Sequence, residues 1–158
     1  MVDVVSPEKR SQMMSGIRGK NTKPELTLRR HLHHAGLRFR LHDPDVPGRP
    51  DIVFKSRRAA VFVHGCFWHR HEGCHWCTTP VSNPDFWTAK FARNIARDIE
   101  VRDALNACGW RVATVWECGL RPAWLALTVE AVTCWIAKGT ENFESALVRP
   151  ICEAESPQ

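Results

Sequence analysis

Pro50–His69 reads PDIVFKSRRAAVFVHGCFWH, and the fold turns on how this stretch is divided. Ile52-Val53-Phe54 and Ala59–Val63 are short β-branched and aromatic runs, separated by Lys55-Ser56-Arg57-Arg58. That is the signature of a β-hairpin. Upstream, Asp43–Pro50 holds three prolines and one glycine, which predicts an extended loop rather than a helix. Downstream, His64–Pro80 has no period and holds four His, three Cys and two Trp. A hydrophobic core alone cannot hold such a segment.

Outward from the hairpin the pattern becomes helical. Ser6-Pro7-Glu8 reads as N-cap, first-turn proline and acidic second position, predicting a short helix to about Ile17. Thr22-Lys23-Pro24-Glu25 has capping-box spacing, and Leu28, Leu32 and Ala35 follow at helical intervals before Gly36. Leu37–Leu41 reads as a short strand. Asn83-Pro84-Asp85 opens another helix with Asn83 as N-cap, and Trp87, Phe91, Ile95 and Ile99 step by four along one face. Lys90, Arg93, Asn94 and Arg97 occupy the neighbouring face. Arg111–Trp116 alternates as a strand covered on both sides, and Leu125–Ala137 is a last helix closed by Gly139. This order predicts an α/β or α+β chain with one central mixed sheet. Residues 1–140 read as one domain, 1–20 forming an N-terminal arm, and 141–158 as a flexible tail.

The composition is that of a folded globular protein: 158 residues, 44% hydrophobic and 25% charged. Lys and Arg total 22 against 17 Asp and Glu, a net +5 that permits a nucleic-acid partner without assigning one. Seven Cys, eight His and seven Trp accompany no Tyr. An odd cysteine count excludes a complete set of internal disulfides. Met1–Ser6 lacks the basic and apolar regions of an export signal, and no apolar run is long enough to span a membrane. The expectation is an intracellular protein whose cysteines are ligands or buried thiols.

Cys66, His69, His71, Cys74, His75 and Cys77 fall within twelve residues, and Cys118 directly follows a strand. Structural zinc takes four soft or borderline ligands in a tetrahedron and stabilises a loop without a core of its own. Cys66, His71, Cys74 and Cys118 form such a set, three local and one distant. His75 or Cys77 could replace one of them.

Asp51 begins the first hairpin strand and His64 ends the second, so pairing brings both to one edge. A carboxylate there suits Mg²⁺, which prefers hard oxygen ligands and few protein groups. A neutral imidazole beside it suits proton transfer from water. Phosphodiester cleavage needs this combination. Taken singly, Asp51 is also an ordinary turn carboxylate and His64 an ordinary hydrogen-bonded strand end. Glu25 serves the capping box and could also act behind the metal. Phe67-Trp68 and Phe86-Trp87 pair aromatics beside basic residues, a combination suited to stacking on bases or wedging between them. Lys90, Arg93 and Arg97 suit phosphates, or are simply a solvated face.

His64-Gly65-Cys66-Phe67-Trp68-His69, then His71, Phe86-Trp87, Lys90, Asn94, Arg97-Asp98, Gly109-Trp110 and Trp116-Glu117-Cys118 resemble the very short patch repair (Vsr) mismatch endonucleases. Pro47-Gly48-Arg49-Pro50-Asp51 also matches the approach to that family's first strand. The likeness runs from about Arg10 to Trp135. It implies a restriction-endonuclease-like fold, a central mixed sheet flanked by helices, with an added structural zinc site.

The resemblance further implies Mg²⁺-dependent nicking of one DNA strand on the 5′ side of the thymine in a T:G mismatch, the product of 5-methylcytosine deamination. Asp51 and the backbone carbonyl of Val63 would hold Mg²⁺. His69 would be the general base, His64 would assist through water, and Glu25 would orient metal-bound water. Zinc would sit on Cys66, His71, Cys74 and Cys118. Phe67, Trp68 and Trp87 would enter the duplex, Met14 would insert from the other groove, and Lys90 and Asn94 would read the mismatched pair. The implied setting is a monomer on double-stranded DNA in the bacterial cytoplasm, linked functionally to a DNA cytosine-5 methyltransferase. Two other readings are a non-catalytic zinc DNA-binding module and a restriction-type enzyme cutting unmismatched DNA.

Overall fold

The structure, a computed structural model, describes residues 6–15 and 19–148. The hairpin forms as its sequence dictates. β1 (Ile52–Phe54) pairs antiparallel with β2 (Ala59–His64), Ile52 opposite Val61. The connection is a 3-10 turn, Lys55–Arg57, closed by Arg58 in the left-handed conformation at φ 47°. β2 then pairs in parallel with β3 (Arg111–Trp116), His64 opposite Trp116. A parallel pair needs a long crossover, here supplied by α3 (Pro84–Ala107). Adding β4 (Phe143–Glu144) parallel to β3 gives a mixed four-stranded sheet in the order β1-β2-β3-β4.

Side chains alternate across this sheet and fill two cores. Ile52, Phe54, Val61 and Val115 point to one face. There they meet Leu28 and Leu32 of α2 (Lys23–His34) and Val132 and Ile136 of α4 (Leu125–Lys138). Val53, Ala60 and Val112 point to the other, against Val46 and Leu105 of α3. Leu32 is fully buried, so Leu32→Ala costs about 2–5 kcal/mol. Gly48, at φ +75°, lets the proline-rich loop lie on α3: a Cβ there would collide with Val101.

Helix ends follow local chemistry. Ser6 Oγ accepts from Lys9 N–H at the start of α1 (Pro7–Ser15). Residues 16–18, where this helix was expected to end, lie outside the described residues. Thr22 caps α2 by accepting from Glu25 N–H, while Glu25 accepts from Asn21 N–H at 3.1 Å, one residue earlier than a standard capping box. Gly36, at φ +80°, closes α2 with Leu37 N–H on Leu32 O and Gly36 N–H on His33 O, a Schellman motif.

Three expectations are corrected, and the apolar stripe of α3 is covered only in part. Leu37–Leu41 forms no strand. Only Arg40 bridges Val53, because His42 turns left-handed at φ 46° and ends the pairing. Asn83 precedes α3 in the left-handed conformation and makes no side-chain cap. The apolar stripe of α3 is buried only at Trp87 and Phe91, since Ile95 and Ile99 overhang an open cleft at 41% and 43% exposure. Residues 141–148, expected as tail, are built into the fold. Asn142 Oδ1 accepts from Val112 N–H, Ser145 Oγ accepts from Trp116 N–H, and Val148 is buried. Residues 149–158 lie outside the described residues. No helix among the described residues is long and apolar enough to cross a membrane.

Candidate active site and metal centre

Antiparallel pairing sets Asp51 at the end of the sheet where β2 and β3 finish. Its Oδ2 accepts from Val63 N–H at 2.7 Å. Burial pushes the Asp51 carboxyl up to about 7, and nearby Glu25 adds to this against the Val63 N–H and Arg29. A desolvated carboxylate beside a second one is a position that a divalent cation relieves. Val63, Asp51, Glu25, His64 and His69 all line one cleft of about 990 Å³.

His64, at the end of β2, stacks on His69 of the following loop, ring centroids 3.8 Å apart and 5° from parallel. Burial drives the His64 pKa down to about 3, with His69 adding to the effect and Asp98 opposing it, so His64 is neutral near pH 7. His69 Nδ1 lies 2.6 Å from Asp98 Oδ2. That contact fixes the proton on Nδ1 and leaves Nε2 with a free lone pair, the arrangement of an oriented general base. Asp98 belongs to α3. One turn earlier, Asn94 Nδ2 donates to Trp68 O at 2.9 Å. Asn94 and Asp98, four apart on one helix face, therefore clamp the consecutive loop residues Trp68 and His69.

Beyond the clamp, Cys66, His71, Cys74 and Cys118 converge. All four are buried, and their ligand atoms lie within 4.8 Å of one another. His71 Nδ1 is 3.7 Å from Cys66 Sγ and 3.5 Å from Cys118 Sγ. A tetrahedron with zinc–sulfur and zinc–nitrogen bond lengths has edges of about 3.5–3.8 Å, so this donor set fits zinc. Cys118 is lowered to about 5 by the hydrogen bond from Cys66, whose own thiol is pushed up by Cys118 and by burial. His71 stacks on Trp116, tying the cluster to β3. Among the described residues His75 and Cys77 stay outside this cluster. Arg70 pins the loop beyond it, donating to Thr78 O and Thr79 Oγ1 with its guanidinium 4.2 Å from the Phe91 ring centre.

The aromatic residues form one cluster at the cleft rim. Phe67 packs edge-on against Trp68, Trp87 and Phe91. Trp68, half-buried, faces the cleft with Lys90 Nζ 5.8 Å from its ring centre. Trp87, expected to enter the duplex, is 7% exposed and backs Phe67 and Trp68. Its neighbour Phe86 is the exposed member at 53%. Asn94, expected to read the mismatched pair, donates one N–H from Nδ2 to Trp68 O. Lys90, Asn94 and Arg97 line the cleft, while Arg93 is exposed on α3 outside it. Met14 lies on α1, and its side chain lies outside the described residues.

Known proteins are similar to this chain in sequence. The sequence model of the family described as DNA mismatch endonuclease Vsr matches residues 2–76. A type II nicking enzyme of Xanthomonas oryzae pv. oryzae is 54% identical over 120 residues, 76% of this chain and 88% of its own. The DNA mismatch endonuclease Vsr of Escherichia coli (strain K12) is 41% identical over 133 residues, 84% of either chain. The chain belongs to the Vsr family. A type II nicking enzyme of Neisseria meningitidis serogroup A / serotype 4A is also similar, 42% identical over 121 residues, 77% of this chain and 86% of its own.

As a Vsr endonuclease the protein acts on DNA, and the reading as a non-catalytic zinc module is set aside. Within this Vsr chain three site residues escaped sequence reasoning. Asp98 stood inside the matched motif but carried no role, since its partner His69 lies 29 positions away. Arg29 and His42 join Glu25 beside Asp51: Arg29 Nη2 is 2.6 Å from Glu25 Oε2 and 2.9 Å from His42 Nε2. Neither Arg29 nor His42 belongs to a motif that sequence reasoning singled out.

Proposed function

We propose that this Vsr endonuclease nicks one strand of double-stranded DNA on the 5′ side of the thymine in a T:G mismatch, requires Mg²⁺ for cleavage and is stabilised by zinc. The observation that carries this reading is the single cleft shared by Asp51, the stacked His64 and His69, and the Trp68–Lys90 rim. The Escherichia coli relative is a DNA mismatch endonuclease, which supports the substrate. The fold it implies is restriction-endonuclease-like.

Asp51 and the Val63 carbonyl would hold Mg²⁺, which when bound supplies charge neutralisation at the scissile phosphate. His69 Nε2 takes the proton of the attacking water, and Asp98 stabilises the imidazolium that results. His64, kept neutral by burial, holds a water by hydrogen bonding. Glu25 orients water at the opposite side of Asp51. Phe67 and Trp68 wedge beside the mismatch, which costs less to unstack than a matched pair. Lys90 and Arg97 meet the DNA from α3. Cys66, His71, Cys74 and Cys118 would hold zinc, a closed site that stabilises the loop carrying both the wedge and His69. The setting proposed is a monomer in the bacterial cytoplasm, repairing deaminated sites left by a DNA cytosine-5 methyltransferase.

The test incubates the zinc-loaded protein and Mg²⁺ with end-labelled duplexes carrying T:G or C:G at one position. A nick confined to the thymine strand of the T:G duplex is expected. Equal cutting of both duplexes would establish a restriction-type enzyme instead, and no cleavage of either would sink the reading.

A further inference from the structure

Three groups around the Asp51 carboxylate could in principle hold a cation directly. Glu25, His42 and Asp51 bring ligand atoms within 4.8 Å of one another. Arg29 stands among them, and its bonds decide what two of the three can do. Its Nη2 lies 2.6 Å from Glu25 Oε2 and 2.9 Å from His42 Nε2, while Nη1 lies 2.6 Å from Asn21 Oδ1. The guanidinium is about nine-tenths buried, with a side-chain exposure of 10% against 3% for Glu25.

A guanidinium has donors and no acceptor. His42 Nε2 must therefore be the acceptor, and the ring proton sits on Nδ1. It is Nδ1 that faces Asp51, 3.7 Å from Oδ1. The imidazole thus presents an N–H to the site and offers no lone pair there. Glu25 is similarly occupied. Oε2 accepts from Arg29 and from Asn21 N–H, and Oε1 lies 3.4 Å from Thr22 Oγ1.

We infer that Arg29 is a positioning residue that keeps His42 and Glu25 out of the inner sphere of the catalytic cation, leaving Asp51 as the one member of this trio that binds it directly. Glu25 then acts on the cation through water. This inference rests on the nuclease reading of Asp51, and it assigns a role to two side chains that reading does not use.

Mn²⁺ serves as the probe, bound to the zinc-loaded full-length protein in the presence of T:G duplex. Electron spin echo spectra report a directly bound imidazole nitrogen. In the wild type, His42→Gln is expected to leave the nitrogen signal unchanged. Loss of a bound-nitrogen signal in His42→Gln overturns the inference without any variant of Arg29. In Arg29→Ala a bound nitrogen is expected to appear and to vanish in Arg29→Ala/His42→Gln. Mn²⁺ affinity is expected to rise at least tenfold, and unchanged or weaker binding by folded Arg29→Ala counts against the inference. Mn²⁺ binding insensitive to Asp51→Ala overturns the nuclease reading itself, and the inference falls with it.

Discussion

In the proposed mechanism Asp98 turns a loop histidine into a base. Its carboxylate sets the tautomer of His69 from a helix, a more rigid support than the loop itself. Asp98→Asn is expected to lower single-turnover nicking by about 10²–10⁴-fold while leaving the melting temperature nearly unchanged. Asp51 makes a second prediction, in stability. Its folded pKa, about 7, lies above the usual carboxylate value of 3.8. Folding therefore favours the protonated form. Without divalent cation, the stability from that preference is full below pH about 4 and lost as pH rises toward 7. Asp51→Asn, which cannot ionise, is expected to melt higher than the wild type in chelator at pH 8 and alike at pH 4. Thermal scans at the two pH values check this. The same variant should lose nicking at every pH.

At the scale of elements, helix α3 positions most of the rim. It buries Trp87 and Phe91, aims Lys90 at Trp68 and clamps the loop with Asn94 and Asp98. The hairpin was legible because periodicity and turn chemistry act locally, and the place of Asp51 followed from its pairing. The outcome at Trp87 was not legible. A four-residue stripe shows that one face of a helix is apolar, and only the surrounding fold shows where its cover stops. Strand β4 was illegible for another reason. Phe143–Glu144 is two residues long, too short for any alternation, and it is fixed by contacts with residues about thirty positions back, Val112 and Trp116. Ending the chain at residue 140 removes five hydrogen bonds, made by Glu141 O, Asn142, Glu144 and Ser145 to Trp135, Val112, Trp116 and Thr114, together with the β3–β4 pairing and the burial of Val148, a loss of at least about 5 kcal/mol. Chemical denaturation of the shortened chain measures that loss.

Across the whole molecule, the cysteine–histidine cluster connects parts that the two main cores do not. Cys118 follows β3, and Cys66, His71 and Cys74 come from the loop after β2. The convergence of these four residues was legible because soft donors are dense and close in sequence. Choosing Cys74 over Cys77 needed the fold. With zinc on these residues, Cys118→Ala is expected to lose the bound metal and lower the melting temperature by 10 °C or more, read by metal analysis and a thermal scan. Unchanged zinc content in that variant would make the ligand set wrong. Arg29 and His42 show the limit of sequence reading most clearly: they meet across 13 positions, and nothing local marks either as belonging beside Asp51.

The clamp formed by Asn94 and Asp98 carries one last implication. In the proposed mechanism a single turn of helix carries both a residue at the DNA-facing rim and the residue that aims the base. Movement of that turn under an ill-fitting duplex would tilt His69 as well, so fidelity and turnover share one lever. Laboratory selections for altered base preference on this rim should keep returning slower enzymes. Second-site changes that restore speed should collect along the same side of α3.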